Sequence, residues 1–250
     1  MKAKTIITLV LILIILYFLF SWMTTSSSAL ASLTVAGASG ENKTDFKPNK
    51  TINKSKLGKS EGGSNNFTYS IWLFVDDWSY RLGEKKVIFS RIKGNDICPK
   101  VSLGEYENNL TIEITPYQTS GANAAETHKC ELSNIPLQKW VNVLFSVYGR
   151  SLDVYIDGKL SRTCVMSGPA HIPNDADITL FPTDGLGSGT SGFGGYISNF
   201  KYWPDATNPQ QAWDIYKEGY GGSMLGGLFD KYRVQVDFLE DGTSKASFQI

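Results

Sequence analysis

Few residues in this sequence are of types that perform chemistry, and their spacing limits what they can do. There are two histidines and three cysteines. Neither His128 nor His171 has a second His, Cys or carboxylate at ligand spacing, which excludes a structural zinc site. Three carboxylate pairs stand close in the chain: Asp76 with Asp77, Glu105 with Glu107, and Asp153 with Asp157. A glycoside hydrolase needs two carboxyl groups facing one cleft, one as acid and one as nucleophile or base. Adjacent strand residues point to opposite faces, so Asp76 and Asp77 fail that test. Glu105 and Glu107 fall in the turn-forming run EYENN and Asp157 in a hairpin turn, so the other pairs fail it too. No Ser-His-Asp or Cys-His set follows from spacing. Gly187-Ser188-Gly189-Thr190-Ser191-Gly192 matches the dinucleotide fingerprint, but that turn needs a helix behind it, and FGGYISNFKYW has strand character. A surface loop is expected there, in a protein that is not an enzyme.

Cys98, Cys130 and Cys164 allow three single disulfides. In an oxidising compartment Cys130 with Cys164 is the preferred pair, since both lie at ends of segments flanking the run 140–148. In a reducing cytosol all three are expected as buried thiols.

The elements that would position these groups begin with a membrane signal. Residues 5–23 read TIITLVLILIILYFLFSWM, uncharged throughout. At about 1.5 Å per helical residue this run crosses a hydrocarbon core of roughly 30 Å. Ala29-Leu30-Ala31 resembles a small-residue cleavage site, yet the apolar run exceeds a signal-peptide core of about 7–15 residues. An uncleaved signal anchor is expected, with membrane lipid as a partner. Lys2 and Lys4 precede the span and no charge follows until Glu41, which puts residues 1–4 in the cytosol and the rest on the lumenal or external side. Residues 24–65 are dominated by Ser, Thr, Gly, Asn and Lys and are expected to form a flexible stalk. Its lysines, Lys43, Lys47, Lys50, Lys54, Lys56 and Lys59, either keep it solvated or meet an acidic partner or lipid headgroups. Asn42, Asn49, Asn53, Asn66 and Asn109 begin glycosylation sequons.

Lys+Arg and Asp+Glu both total 24, which removes the polybasic footprint of a nucleic-acid partner. With 42% hydrophobic residues the chain can bury a sizeable core, and 12% aromatics with 24 glycines tilt it toward strands. Short apolar or alternating runs recur at 67–75, 86–92, 100–103, 110–115, 140–148, 152–156, 160–166, 177–181 and 196–203, bounded by turn residues. This spacing predicts a two-sheet β-sandwich over residues 66–220. Asp157-Gly158 supplies the positive φ angles of a two-residue turn, which pairs Ile156 with Lys159, Tyr155 with Leu160, and Asp153 with Arg162. Asn208-Pro209 opens one short helix, 210–218, with Trp213 and Tyr216 burying one face and Gly219 ending it. Runs 232–239 and 243–250 around Asp241-Gly242 predict a C-terminal hairpin within 221–250.

The order FTYSIWLFVDDW, then IPLQKWVNVLFSVYGRSLDVYIDGKL, then GFGGYISNFKYW followed by PQQAWDIY resembles the concanavalin A-like lectin/glucanase superfamily, and within it the laminin G-like branch. The resemblance covers about residues 66–219. It implies an all-β antiparallel jelly-roll that binds rather than catalyses, and no carboxylate pair matches the glutamate-rich strand of similar glucanases. It also implies Ca²⁺ in an oxygen-rich loop, for which Asn174, Asp175 and Asp177 are candidates, beside Asp76-Asp77. Glycan binders stack sugars on loop aromatics; Trp72, Trp140, Trp203 and Trp213 fall in patterned elements, which leaves Trp78 and Tyr80, with Asp77, as glycan-binding candidates. Membrane-anchored forms with a similar Asn-Pro-Gln-Gln-Ala-Trp ending and extra hairpin are similar to proteins of large double-stranded DNA viruses of algae. That resemblance implies a minor structural protein joining a virion's inner membrane to its capsid shell. The alternative is a surface lectin or adhesion protein, and a glycoside hydrolase is the third reading.

Overall fold

Alternation along the strands builds two faces, and one of each pair becomes the core. In the computed structural model, which describes residues 50–57, 65–117, 126–183, 192–220, 235–240 and 243–249, strand β2 (Phe67–Asp77) buries Phe67, Tyr69, Ile71, Leu73 and Val75 on its inner face. Each such side chain gains about 1.5–3 kcal/mol on leaving water. Tyr69 sits at the centre, its ring 5.3 Å from Phe145 and 5.4 Å from Phe89.

The remaining strands follow in chain order. β1 (Lys50–Ile52) precedes β2, and β3 (Lys86–Lys93), β4 (Asp96–Leu103), β5 (Leu110–Ile114) and β6 (His128–Leu132) follow it. Then come β7 (Trp140–Tyr148), β8 (Ser151–Ile156), β9 (Lys159–Val165), β10 (Ile178–Leu180) and β11 (Gly194–Trp203). They form a six-stranded sheet, β1-β10-β3-β4-β5-β6, packed on a five-stranded one, β11-β2-β7-β8-β9, antiparallel throughout. The expected two-sheet sandwich is what forms. At one side the sheet edges β6 and β9 meet, where Cys130 and Cys164 form a disulfide with Cα atoms 6.0 Å apart and Arg162 Nη1 donates to Glu131 O at 2.6 Å. Cys98 is free and buried, and burial pushes its thiol well above the usual range.

Helix α1 (Pro209–Lys217) lies on the outer face of the five-stranded sheet. Asn208 caps it by accepting from Gln211 N at 2.9 Å while Asn208 N donates back to Gln211 Oε1 at 3.0 Å, and Pro209 takes the first turn. It buries Ala212 and Ile215 against Leu144 and Tyr155. Tyr216 stacks on Trp72 at 5.6 Å, but Trp213 stays 37% exposed, since at position 213 the helix faces the β8–β9 turn and solvent rather than the sheet. β12 (Gln235–Glu240) and β13 (Thr243–Gln249) pair only with each other among the described strands.

Three expectations are corrected. Residues 50–57 belong to the sandwich, not to a stalk: β1 pairs with β10, and Ile52 and Leu57 are buried in the core. Their apolar side chains are too few to signal a strand alone and are decisive only because the edge of β10 is there to receive them. The rest of the stalk, 24–49 and 58–64, and the membrane run 5–23 lie outside the described residues; among those described, no helix is long and apolar enough to cross a membrane. The β8–β9 hairpin pairs Ile156 with Lys159 and Tyr155 with Leu160 as expected, but a bulge at Ser161 then shifts the register. Asp153 therefore faces Thr163, whose hydroxyl donates to Asp153 Oδ1 at 2.6 Å, and Arg162 faces Val154. Finally, β6 forms at His128–Leu132, a stretch outside the runs predicted as strands.

Candidate functional site

The residues singled out from sequence are placed at separate points, and most are occupied by the fold. Trp78 is half-buried against the core; its indole N–H donates to Tyr106 O at 2.9 Å, and Lys86 Nζ lies 4.6 Å above its ring. Lys86 is itself buried and points at Gly104 O and Glu105 O at 3.3 and 3.4 Å; burial, then the nearby Arg81 charge, lower its pKa. Trp78 thus locks the 104–107 loop rather than standing open to a sugar. Asp77 Oδ1 accepts from Ser79 N at 2.9 Å and Ser79 Oγ at 2.6 Å, closing the turn, so that Asp77, though exposed like Tyr80, is spent on the turn.

In the 174–177 loop, lysines take the carboxylates proposed for calcium. Asp175 is 2.9 Å from Lys93 Nζ and 3.5 Å from Lys54 Nζ, contacts that hold its carboxyl below the usual range, Lys93 first. Asp177 Oδ1 accepts from Lys54 N at 2.7 Å. The loop therefore clasps the turn that follows β1. Among the described residues no three His, Cys, Asp or Glu side chains gather as a metal set. Of the sequons, Asn42 and Asn49 lie outside the described residues. Asn53 accepts from Ser55 N, Asn66 accepts from Gly149 N, and Asn109 Nδ2 donates to Glu107 and Glu131.

The carboxylate pairs are likewise engaged. Glu107 holds Asn109, Asp153 holds Thr163, and Asp157 Oδ1 accepts from Asn142 N at 2.9 Å, which staples the hairpin turn to β7. Gly192 leads into β11, a strand and not a helix, so the glycine run before it lacks the context of a dinucleotide site.

One cleft gathers groups that sequence spacing did not bring together. The β3–β4 turn, Gly94-Asn95, carries Asp96 at its exit. Beyond β5, residues 115–117 pair with 169–171: Tyr117 N donates to Pro169 O at 2.7 Å, His171 N to Thr115 O at 2.9 Å, and Pro116 bridges Ala170. Gly168 permits this approach, since a Cβ there would lie 2.4 Å from Tyr117 O. The pairing sets the Tyr117 ring 4.4 Å from the His171 imidazole, and His171 Nδ1 lies 3.1 Å from Asp96 Oδ1. Together with Ile92, Ile97 and Thr127 these residues line a cleft of about 690 Å³, within the range of roughly 300–1,000 Å³ for small-molecule sites. Tyr117 is 44% exposed, so a ring face is open to a ligand.

Two antiparallel sheets packed face to face form a jelly-roll sandwich, with the open cleft at a loop end. The family model Laminin_G_3, described as the concanavalin A-like lectin/glucanases superfamily, matches residues 49–212, and the chain belongs to that superfamily. The match begins at the strand that sequence reading assigned to the stalk. No curated protein matches the sequence. Among solved structures the chain is similar to a single-site variant of HCR/D, at 13% identity and TM-score 0.50, covering 64% of this chain and 38% of that one. It is also similar to the botulinum neurotoxin type G receptor-binding domain, at 19% identity and TM-score 0.48, covering 64% and 41%. At these identities the likeness is one of fold, and the chain spans well under half the length of either structure.

Proposed function

We propose that the protein is a non-catalytic binding module tethered to a membrane by residues 5–23, with its N-terminus in the cytosol and the sandwich on the lumenal or external side, where it holds a glycan. The cleft at Asp96, Tyr117 and His171 carries this reading: it is open, lined by one carboxylate and two rings, and among the described residues no second carboxyl group lines it to complete a hydrolytic pair with Asp96. The engaged carboxylates elsewhere support the same conclusion. The test is a glycan array probed with the full chain, with calcium and with chelator, beside a hydrolysis assay on the same glycans. Retention of one sugar class without turnover is the expected result; release of reducing ends would replace the reading with hydrolysis.

A second reading, a minor structural protein linking a virion's inner membrane to the capsid shell, is favoured by β12 and β13. They form a two-stranded sheet of their own, whose outer edges pair with no other described strand and so offer backbone groups to a protein partner. Cross-linking on the native membrane would recover a shell protein through residues 235–249 if this reading holds.

A further inference from the structure

The binding-module reading leaves the kind of sugar open, and the cleft's chemistry narrows it. We infer that the cleft formed by Asn95, Asp96, Tyr117, Thr127 and His171 takes one neutral pyranose unit of a glycan, without calcium; the inference rests on the glycan-binding reading and names the ligand class of that site. Among the described residues no lysine or arginine lines the cleft to give a countercharge to a sulfate, a phosphate or a sialic acid carboxylate. Asp96 is its one acidic group among the described residues, and a single carboxylate is far short of the six to eight oxygens that Ca²⁺ requires. What remains is the set that recognises hydroxyl groups. Asp96 spends Oδ1 on His171 Nδ1, and Oδ2 is left to accept from a sugar hydroxyl. The Asn95 amide offers a donor and an acceptor, Thr127 a hydroxyl, and His171 its Nε2.

The apolar side of a pyranose also has a counterpart. Tyr117 presents a half-exposed ring, and Ile92, 41% exposed, borders the same cleft. Stacking of C–H groups on such a ring leaves the sugar's equatorial hydroxyls to reach the polar wall. The backbone holds this wall in place before any ligand arrives. The Thr115–His171 and Tyr117–Pro169 hydrogen bonds fix one side, and Thr115 Oγ1, which accepts from Ile97 N at 3.1 Å, ties the β4 side to it. A ligand therefore meets a formed site and does not bear the cost of ordering it.

The experiment is a titration of the full chain, in a detergent without a sugar headgroup, followed by calorimetry and ligand-observed NMR. Its probes are the methyl glycosides of glucose, galactose and mannose, with sialyllactose and a sulfated disaccharide as acidic controls. One neutral glycoside is expected to bind equally with Ca²⁺ and with chelator. Asp96→Asn is expected to weaken it about ten- to a hundredfold, the scale of a hydrogen bond to a charged acceptor. Tyr117→Ala should weaken it about tenfold while Tyr117→Phe retains it. Unchanged melting temperatures for these surface variants show that folding is intact. If a neutral glycoside binds and neither variant weakens it, the cleft assignment falls while glycan binding stands. If only the acidic saccharides bind, or chelator abolishes binding, the ligand class is wrong. If no saccharide binds up to its solubility, this inference and the glycan reading beneath it both fall.

Discussion

Replacing Gly158 with alanine tests whether helix α1 is seated on the β8–β9 turn. Gly158 has φ +72°, and a Cβ built there lies 2.9 Å from Trp213 Cε3, 2.9 Å from Tyr216 Cβ and 3.2 Å from Trp213 Cα. Two costs add. The left-handed backbone costs a residue with a Cβ about 1–2 kcal/mol, and forcing the helix outward costs about 1–3 kcal/mol more. Gly149 isolates the first term: its φ is +58° and nothing lies within 4 Å of a Cβ built on it. Gly149→Ala should therefore lose about 1–2 kcal/mol and Gly158→Ala about 2–5 kcal/mol. At about 2–4 °C per kcal/mol for a domain of this size, the second variant melts roughly 2–12 °C below the first. Thermal unfolding by circular dichroism measures the gap, and the near-ultraviolet signal of the Trp72–Tyr216 stack should weaken in Gly158→Ala alone. Equal melting temperatures for the two variants would refute the docking of α1 on the turn.

Three further outcomes follow from the packing. Serine at both Cys130 and Cys164 should cost about 3–4 kcal/mol, the loop-closure value for a sequence separation of 34, and a reducing agent should lower the wild-type melting temperature to match; an unchanged midpoint would show the pair open in solution. Burial pushes the Glu113 carboxyl up, but its hydrogen bond from Lys85 and the charges of Lys100, Lys85 and Lys129 outweigh this and hold its pKa below the usual range. The unfolded chain then binds the proton first. The pair's stabilisation is complete above the ordinary glutamate pKa of about 4.3 and is lost as pH falls through the lower folded value. Glu113→Gln should cost about 1–3 kcal/mol at pH 7 and flatten the acid limb of a stability–pH curve, and an identical limb in both proteins would count against the pairing. Trp78→Ala should lower stability by about 2–3 kcal/mol through the freed 104–107 loop and leave saccharide affinity unchanged, whereas lost affinity with intact stability would move the sugar to the Trp78–Tyr80 loop.

The parts of the fold legible in the sequence are those fixed by contacts near in the chain. The alternation of FTYSIWLFV names its buried set because period two is enforced by the pleat alone. Asn208-Pro209 and Asp157-Gly158 name a cap and a turn because each completes its hydrogen bonds within a few residues. The misreadings come from partners far away. β1 is a strand because β10, more than a hundred residues on, offers its edge, and a three-residue strand carries no periodic signal of its own. The Ser161 bulge is invisible because both registers place acceptable side chains on each face, and the choice falls to Asp153, which gains the Thr163 hydroxyl.

The site shows the same division more sharply. Trp78 and Tyr80 look like ligand residues because an aromatic in a polar loop is normally left in solvent, and the sequence cannot show that Lys86 and Tyr106 close over Trp78. Asp96 and His171 carry no mark at all: they are 75 positions apart, and each is unremarkable beside its neighbours. What joins them is the pairing of 115–117 with 169–171, and that pairing is itself possible because position 168 has no side chain. A Gly168→Ala substitution, distant from any ligand, should therefore push the 169–171 segment off Tyr117, lengthen the His171–Asp96 contact and weaken saccharide binding without touching a residue that contacts the sugar. Binding retained at full strength in that variant would mean that the cleft's geometry does not depend on the close approach, and that Asp96 and His171 are brought together by something other than this pairing.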